Sequence, residues 1–69
     1  MSLLKMSRDE IENKIEELLE RRMKVYGYFN YFIIDDYIIF VKIYDENNNL
    51  IFSVKTVLYG NKLQITEVS

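Results

Sequence analysis

Tyr37–Ile38–Ile39–Phe40–Val41–Lys42–Ile43–Tyr44, then Asp45–Glu46–Asn47–Asn48–Asn49, then Leu50–Ile51–Phe52–Ser53–Val54–Lys55–Thr56–Val57–Leu58 is the stretch whose reading decides the fold. Two runs rich in β-branched and aromatic residues flank Asp and Asn residues, whose side chains hydrogen-bond their own backbone and tolerate left-handed conformations. This arrangement predicts an antiparallel hairpin. With Glu46–Asn49 as the loop, Asp45 faces Leu50, and directly opposed residues share a face of the sheet from there on. One side, called face A, then collects Tyr37, Ile39, Val41 and Ile43 with Phe52, Val54, Thr56 and Leu58. Face B collects Ile38, Phe40, Lys42 and Tyr44 opposite Ile51, Ser53, Lys55 and Val57. The first set is almost wholly apolar and the second mixed, as expected of an antiparallel sheet covered on one side.

Downstream, Tyr59–Gly60–Asn61–Lys62 fits a tight hairpin turn of the primed kind, with Leu58 opposite Leu63 and Thr56 opposite Ile65. Leu63 and Ile65 then join face A, and Lys62, Gln64 and Thr66 join face B. Upstream, Val25–Ile34 has strand composition without clean alternation. Gly27 marks the helix exit or a bulge, and Asp35–Asp36 supply a turn. A strict Asp35–Asp36 loop puts Asn30 and Phe32 on face A and Phe29, Tyr31 and Ile33 on face B; the other loop parity exchanges them. Either way aromatic residues remain on face B.

The element that covers face A is predicted from Ser7–Arg8–Asp9–Glu10, a capping box in which the Ser7 hydroxyl accepts the Glu10 N–H and the Glu10 side chain returns to the Ser7 N–H, with Met6 and Ile11 placed as a hydrophobic staple. Ile11, Ile15, Leu18, Leu19 and Met23 follow at helical spacing, with Glu12, Glu16, Glu17, Glu20, Arg21 and Lys24 on the opposite side. Glu10–Lys14, Glu17–Arg21 and Glu20–Lys24 have the i,i+4 spacing of supporting ion pairs. A membrane-surface role would favour a basic polar face, and this one is acidic until its last turn. The expected fold is therefore α+β: an N-terminal amphipathic helix packed on one face of a four-stranded antiparallel β-meander, with residues 1–69 forming a single small domain. As architecture alone this order resembles the helix-plus-curved-sheet arrangement of cystatin-like folds, and fold does not imply function.

A chain of 69 residues is near the size at which one hydrophobic core barely suffices. It has neither Cys nor His, so disulfides, thiolate chemistry and the usual zinc ligands are excluded, and stability must come from packing or oligomerisation. Hydrophobic residues at 49% and charged residues at 29% indicate a globular chain, and a net charge of −2 predicts no general attraction to nucleic acid or anionic lipid. Met1–Met6 has only Leu3, Leu4 and Met6 as apolar residues, far short of a signal-peptide core, and a cytoplasmic location without membrane contact is expected.

Candidate chemistry fails residue by residue. Asp45, Asn47 and Asn49 mimic the start of a calcium loop, but Leu50 stands where its glycine belongs and Thr56 where its bidentate Glu belongs. Asp35–Asp36 read as turn formers rather than paired catalytic acids. Ser53 has no histidine to activate it, and the chain's two glycines, Gly27 and Gly60, form no phosphate loop. No catalytic, metal-binding or cofactor-binding residue is assigned, and a non-enzymatic protein is expected.

Two readings concern face B. In the first it is a protein–protein interface, with a homodimer favoured and another protein possible, formed by Ile38, Phe40, Tyr44, Ile51, Val57 and Tyr59. In the second it is a platform for single-stranded nucleic acid, on which Phe40, Tyr44 and Tyr59 stack against bases while Lys42, Lys55 and Lys62 meet phosphates. The acidic balance and the bulky Ile and Val residues between the aromatics favour the first.

Overall fold

A computed structural model describes residues 3–22 and 26–68. Helix α1 spans Arg8–Arg22. Ser7 caps it, its hydroxyl accepting the Glu10 N–H at 3.2 Å, while the Glu10 carboxylate meets that same hydroxyl at 3.3 Å rather than the Ser7 N–H. Ile11, Ile15, Leu18 and Leu19 are buried, as their spacing predicts, and half-buried Met6 packs against them. Among the described residues the helix carries an Arg8–Glu12 ion pair at 3.4 Å. Lys14 donates instead to the Asn61 carbonyl, tying the helix to the last hairpin turn. The places expected for Met23, Lys24 and Val25 lie outside the described residues.

Four strands follow: β1 (Tyr28–Ile33), β2 (Ile38–Tyr44), β3 (Leu50–Tyr59) and β4 (Lys62–Val68). They pair antiparallel in the order β1-β2-β3-β4, a meander with the helix on face A, so the α+β class and its topology are as expected. Ile39, Val41, Ile43, Val54, Leu58 and Leu63 meet the four buried helix residues in the core. Thr56 is enclosed among them, and its hydroxyl donates to the Ile39 carbonyl at 3.0 Å, which satisfies the one polar group a core there must absorb.

The β2–β3 register runs as expected from Ile38↔Val57 to Ile43↔Phe52, but its loop differs. The Asp45 N–H bonds the Asn49 carbonyl, the Asn48 N–H bonds the Asp45 carbonyl, and Asn48 takes φ 67°, so the loop is Glu46–Asn48, one residue shorter. Tyr44 then faces Leu50 instead of Ile51, and a bulge at Ile51 absorbs the spare residue before Phe52. Two departures cancel, and the face assignment of β3 survives from Phe52 onward, while that of Ile51 does not. At the next turn Gly60 has φ 59° and Asn61 stays negative, the arrangement with glycine first among the primed turns.

The structure settles the open parity of β1, corrects the place of Tyr37 and gives Leu3 one in the core. The β1–β2 loop holds Asp35, Asp36 and Tyr37, because the Asp35 carboxylate accepts the N–H groups of Tyr37 (2.8 Å) and Ile38 (2.9 Å) and pairs Ile33 with Ile39. Phe29, Tyr31 and Ile33 therefore pack toward the core, and Asn30 and Phe32 lie on face B, the reverse of the strict Asp35–Asp36 reading. Tyr37, counted with face A, sits in this loop and is mostly exposed. Leu3, given no role, is fully buried, and its N–H bonds the Asp36 carbonyl at 2.8 Å.

Candidate interaction surface

Along β2, residues alternate between enclosure and half-exposure: Ile39, Val41 and Ile43 are buried, while Ile38, Phe40, Lys42 and Tyr44 are part-open. The half-open set is face B, and among the described residues no helix or loop covers it. Register brings Tyr28 against Tyr44, Phe32 against Phe40, and Val57 against Ile38. The Tyr28 and Tyr44 rings stack at 4.9 Å and 9°, and the Lys42 ammonium lies 5.6 Å from the centre of the Phe32 ring. At an exposed site these contacts are worth roughly 0.5–1.5 kcal/mol and 0.5–1 kcal/mol. They order the surface without hiding it: Phe32 remains 55% exposed and Tyr59 59%.

Most of the expected interface residues come together here. Ile38, Phe40 and Tyr44 lie side by side on β2, Val57 beside them on β3, and Tyr59 at the end of β3. Ile51 does not join them. The bulge turns it to the sheet's end, where it lines a shallow cleft of about 310 Å³ with Tyr26, Gly27 and Asp45–Asn47. Tyr28 and Phe32 were missed as members, and the signal that could have found them is Asp35, whose side chain caps a three-residue loop and sets the parity of β1.

Charge on face B is of both signs. Lys42 and Lys55 stand near its centre, Lys62 opposite Tyr59, and Glu67 opposite Lys55, brought there by a bulge at Thr66 whose hydroxyl donates to the Lys55 carbonyl at 3.1 Å. Ser53 is buried despite lying on this face, a small residue registered against the long Lys42.

A second feature lies on the other side of the sheet. The helix approaches β4 more closely than the other strands, which leaves an open cleft of about 600 Å³ between it and β1. Arg8, Glu12 and Glu16 form one wall, and residues 26–31 form the other. The Tyr31 hydroxyl donates to Glu12 at 3.5 Å. Burial, followed by the charges of Glu16 and Glu20, pushes the Tyr26 hydroxyl above its ordinary pKa.

At the β2–β3 loop, the Asp45 carboxylate accepts the N–H groups of Asn47 (2.8 Å) and Asn49 (2.9 Å). Those bonds, the Asn49 amide foremost, hold its pKa below the usual carboxylate range. The calcium-like spacing is thus used to close a turn. Among the described residues there is no group of acids placed to hold a metal, and no helix long and apolar enough to cross a membrane. Comparison with protein-family models, curated proteins and solved structures finds no match.

Proposed function

We propose that this chain is a small, non-enzymatic interaction domain that self-associates through face B, a second copy being the occupant. The observation that carries the reading is the uncovered cluster of Phe32, Phe40, Ile38 and Val57, contiguous across β1, β2 and β3 and extended along β3 by Tyr59, with Tyr28 and Tyr44 forming a second aromatic pair beyond the Asn30–Lys42–Ser53 row. Among the described residues one helix lies on one face of the sheet, which leaves the other face open to a partner surface. The occupancy by a second copy is supported by charge: Glu67 stands opposite Lys55, so two copies can set unlike charges against each other, the long lysine side chains carrying their charged ends from central backbone positions toward the rim while ring surface meets ring surface.

Replacing Phe40 by Glu places a charge in the middle of that band. Light scattering across a concentration series should give a smaller particle mass for Phe40→Glu than for the natural chain, with helix content unchanged by circular dichroism. A natural chain that is monomeric at high micromolar concentration, or a variant of unchanged mass, overturns the reading.

A second reading rests on a different observation, the surplus of Lys42, Lys55 and Lys62 over Glu67 on a face that also presents stackable Tyr28, Phe32 and Tyr59. It makes face B a platform for single-stranded nucleic acid, with Phe40 and Tyr44 as further ring surfaces. Fluorescence anisotropy with a labelled oligonucleotide tests it. This reading requires binding that weakens with salt and loses about one counterion for each of Lys42→Ala, Lys55→Ala and Lys62→Ala. The self-association reading expects no such binding near physiological ionic strength.

A further inference from the structure

The two outer strands of the sheet differ in how they meet solvent. β4 carries Lys62 and Glu67 and is broken by the bulge at Thr66, all features that discourage another strand from adding to an edge. β1, Tyr–Phe–Asn–Tyr–Phe–Ile, has no charge, no proline and an unbroken register from Tyr28↔Tyr44 to Ile33↔Ile39. Its outward hydrogen-bonding groups can be assigned. The Ile34 N–H bonds the Ile38 carbonyl at 2.9 Å and the Leu58 N–H bonds the Tyr37 carbonyl at 2.7 Å. Alternation then directs the amides of Asn30 and Phe32 toward β2, and those of Phe29, Tyr31 and Ile33 to the open edge. The helix lies toward β4, and the cleft beside β1 leaves that edge accessible.

We propose that β1 pairs antiparallel with β1 of a second copy about a two-fold axis at Tyr31, joining two four-stranded sheets into one. The strand complements itself in this register. Phe29 faces the second copy's Ile33 and Tyr31 faces its counterpart, the three outward-facing residues forming the hydrogen-bonded pairs, while Asn30 faces the second copy's Phe32 on face B. No charge is set against a like charge. Both helices fall on the same side, and the cleft beside Phe29 and Tyr31 is closed by the partner strand's own aromatic residues. Pairing of β1 with β4 would instead meet Lys62, Glu67 and the interrupted ladder at Thr66. The contact uses the backbone edge of β1 and not the ring surfaces of face B, so each can fail alone.

The chain contains no cysteine, so a single introduced thiol reports its own position. On the axis, Cα atoms of the two Tyr31 residues would lie ~5.5 Å apart, within the span of a disulfide. Under mild oxidation, full-length Tyr31→Cys should become a covalent dimer on a non-reducing gel. Phe29→Cys alone should not, since it lies four residues from its counterpart, whereas the double variant Phe29→Cys/Ile33→Cys should. Adding Phe40→Glu should leave these crosslinks in place. As a check that keeps every side chain of the strand, backbone N-methylation of Tyr31 in a synthetic full-length chain carrying Phe40→Glu removes only the outward donor and should weaken the remaining association by about tenfold or more. Equal crosslinking of Tyr31→Cys and Phe29→Cys, no crosslinking of Tyr31→Cys, or an N-methylated Phe40→Glu chain that associates as tightly as its unmethylated counterpart overturns the proposal.

Discussion

Face A and face B alternate residue by residue along the same strands, yet Ile39, Val41 and Ile43 are fully enclosed while their neighbours Ile38, Phe40 and Tyr44 stay part-open. The residue types differ little in hydrophobicity. What differs is cover: α1 lays Ile11, Ile15, Leu18 and Leu19 on one face, and no second element among the described residues lies on the other. Stability should therefore concentrate on face A and association on face B. The four strands also supply their own small differences, since face A absorbs a single polar group, Thr56, whereas face B holds three lysines and a glutamate.

The sharpest way to break that comparison is on the covered side. Ile15 has no exposed surface, so Ile15→Ala leaves a cavity between helix and sheet and should cost about 2–5 kcal/mol in urea unfolding. A near-neutral result would remove the helix from the core. Next comes Gly27, where an added Cβ would sit 2.5 Å from the Asp45 backbone while the glycine N–H bonds the Tyr44 carbonyl at 2.9 Å. Gly27→Ala must push β1 and the β2–β3 loop apart and should lower stability by about 1–3 kcal/mol. Ser7→Ala removes the acceptor of the Glu10 N–H and should cost about 1 kcal/mol, seen as a lower unfolding midpoint without loss of association.

Two smaller effects sharpen the contrast from the open side. Lys42→Ala removes the cation above Phe32 and should change stability by less than ~1 kcal/mol, because the group is only part-buried and its gain is screened by water. Acid should loosen the β2–β3 loop first. The folded pKa of Asp45 is depressed, so its contribution is present above the unfolded value of roughly 3.9 and is lost as pH falls through the lower folded value. Amide chemical shifts of Asn47 and Asn49, followed by NMR from pH 6 downward, should report a titration below about pH 4. Shifts that stay flat through that range would mean that Asp45 does not hold the turn.

Much of this architecture was legible because its signals are local and redundant. Ser7 and Glu10 mark one helix end, Ile11, Ile15, Leu18 and Leu19 repeat at one period, and the β2–β3 and β3–β4 strands alternate at another. The loops carried less information than their composition suggested. Asp45–Asn49 reads equally well as a four-residue or a three-residue loop, and only the compensating bulge at Ile51 kept Phe52 on face A. Asp35–Asp36 had no such compensation, so the parity of β1 reversed and carried Phe32 onto the open face. Leu3 was invisible because Leu3, Leu4 and Met6 are too few to show a period, and Leu3 is held by a carbonyl distant in sequence, that of Asp36. Alternation places five of the six residues expected at the interface on one face, and Ile51 leaves it through a backbone irregularity that alternation cannot encode.

The measurement that bears most directly on the division of labour between the faces is an isotope-filtered NOE experiment on an equimolar mixture of labelled and unlabelled chain at high micromolar concentration. Intermolecular contacts are expected from the Phe40 ring and the Val57 methyls, and none from Ile15 or Leu19. Absence of any contact from Phe40 and Val57, or contacts from the helix side alone, would contradict association through face B.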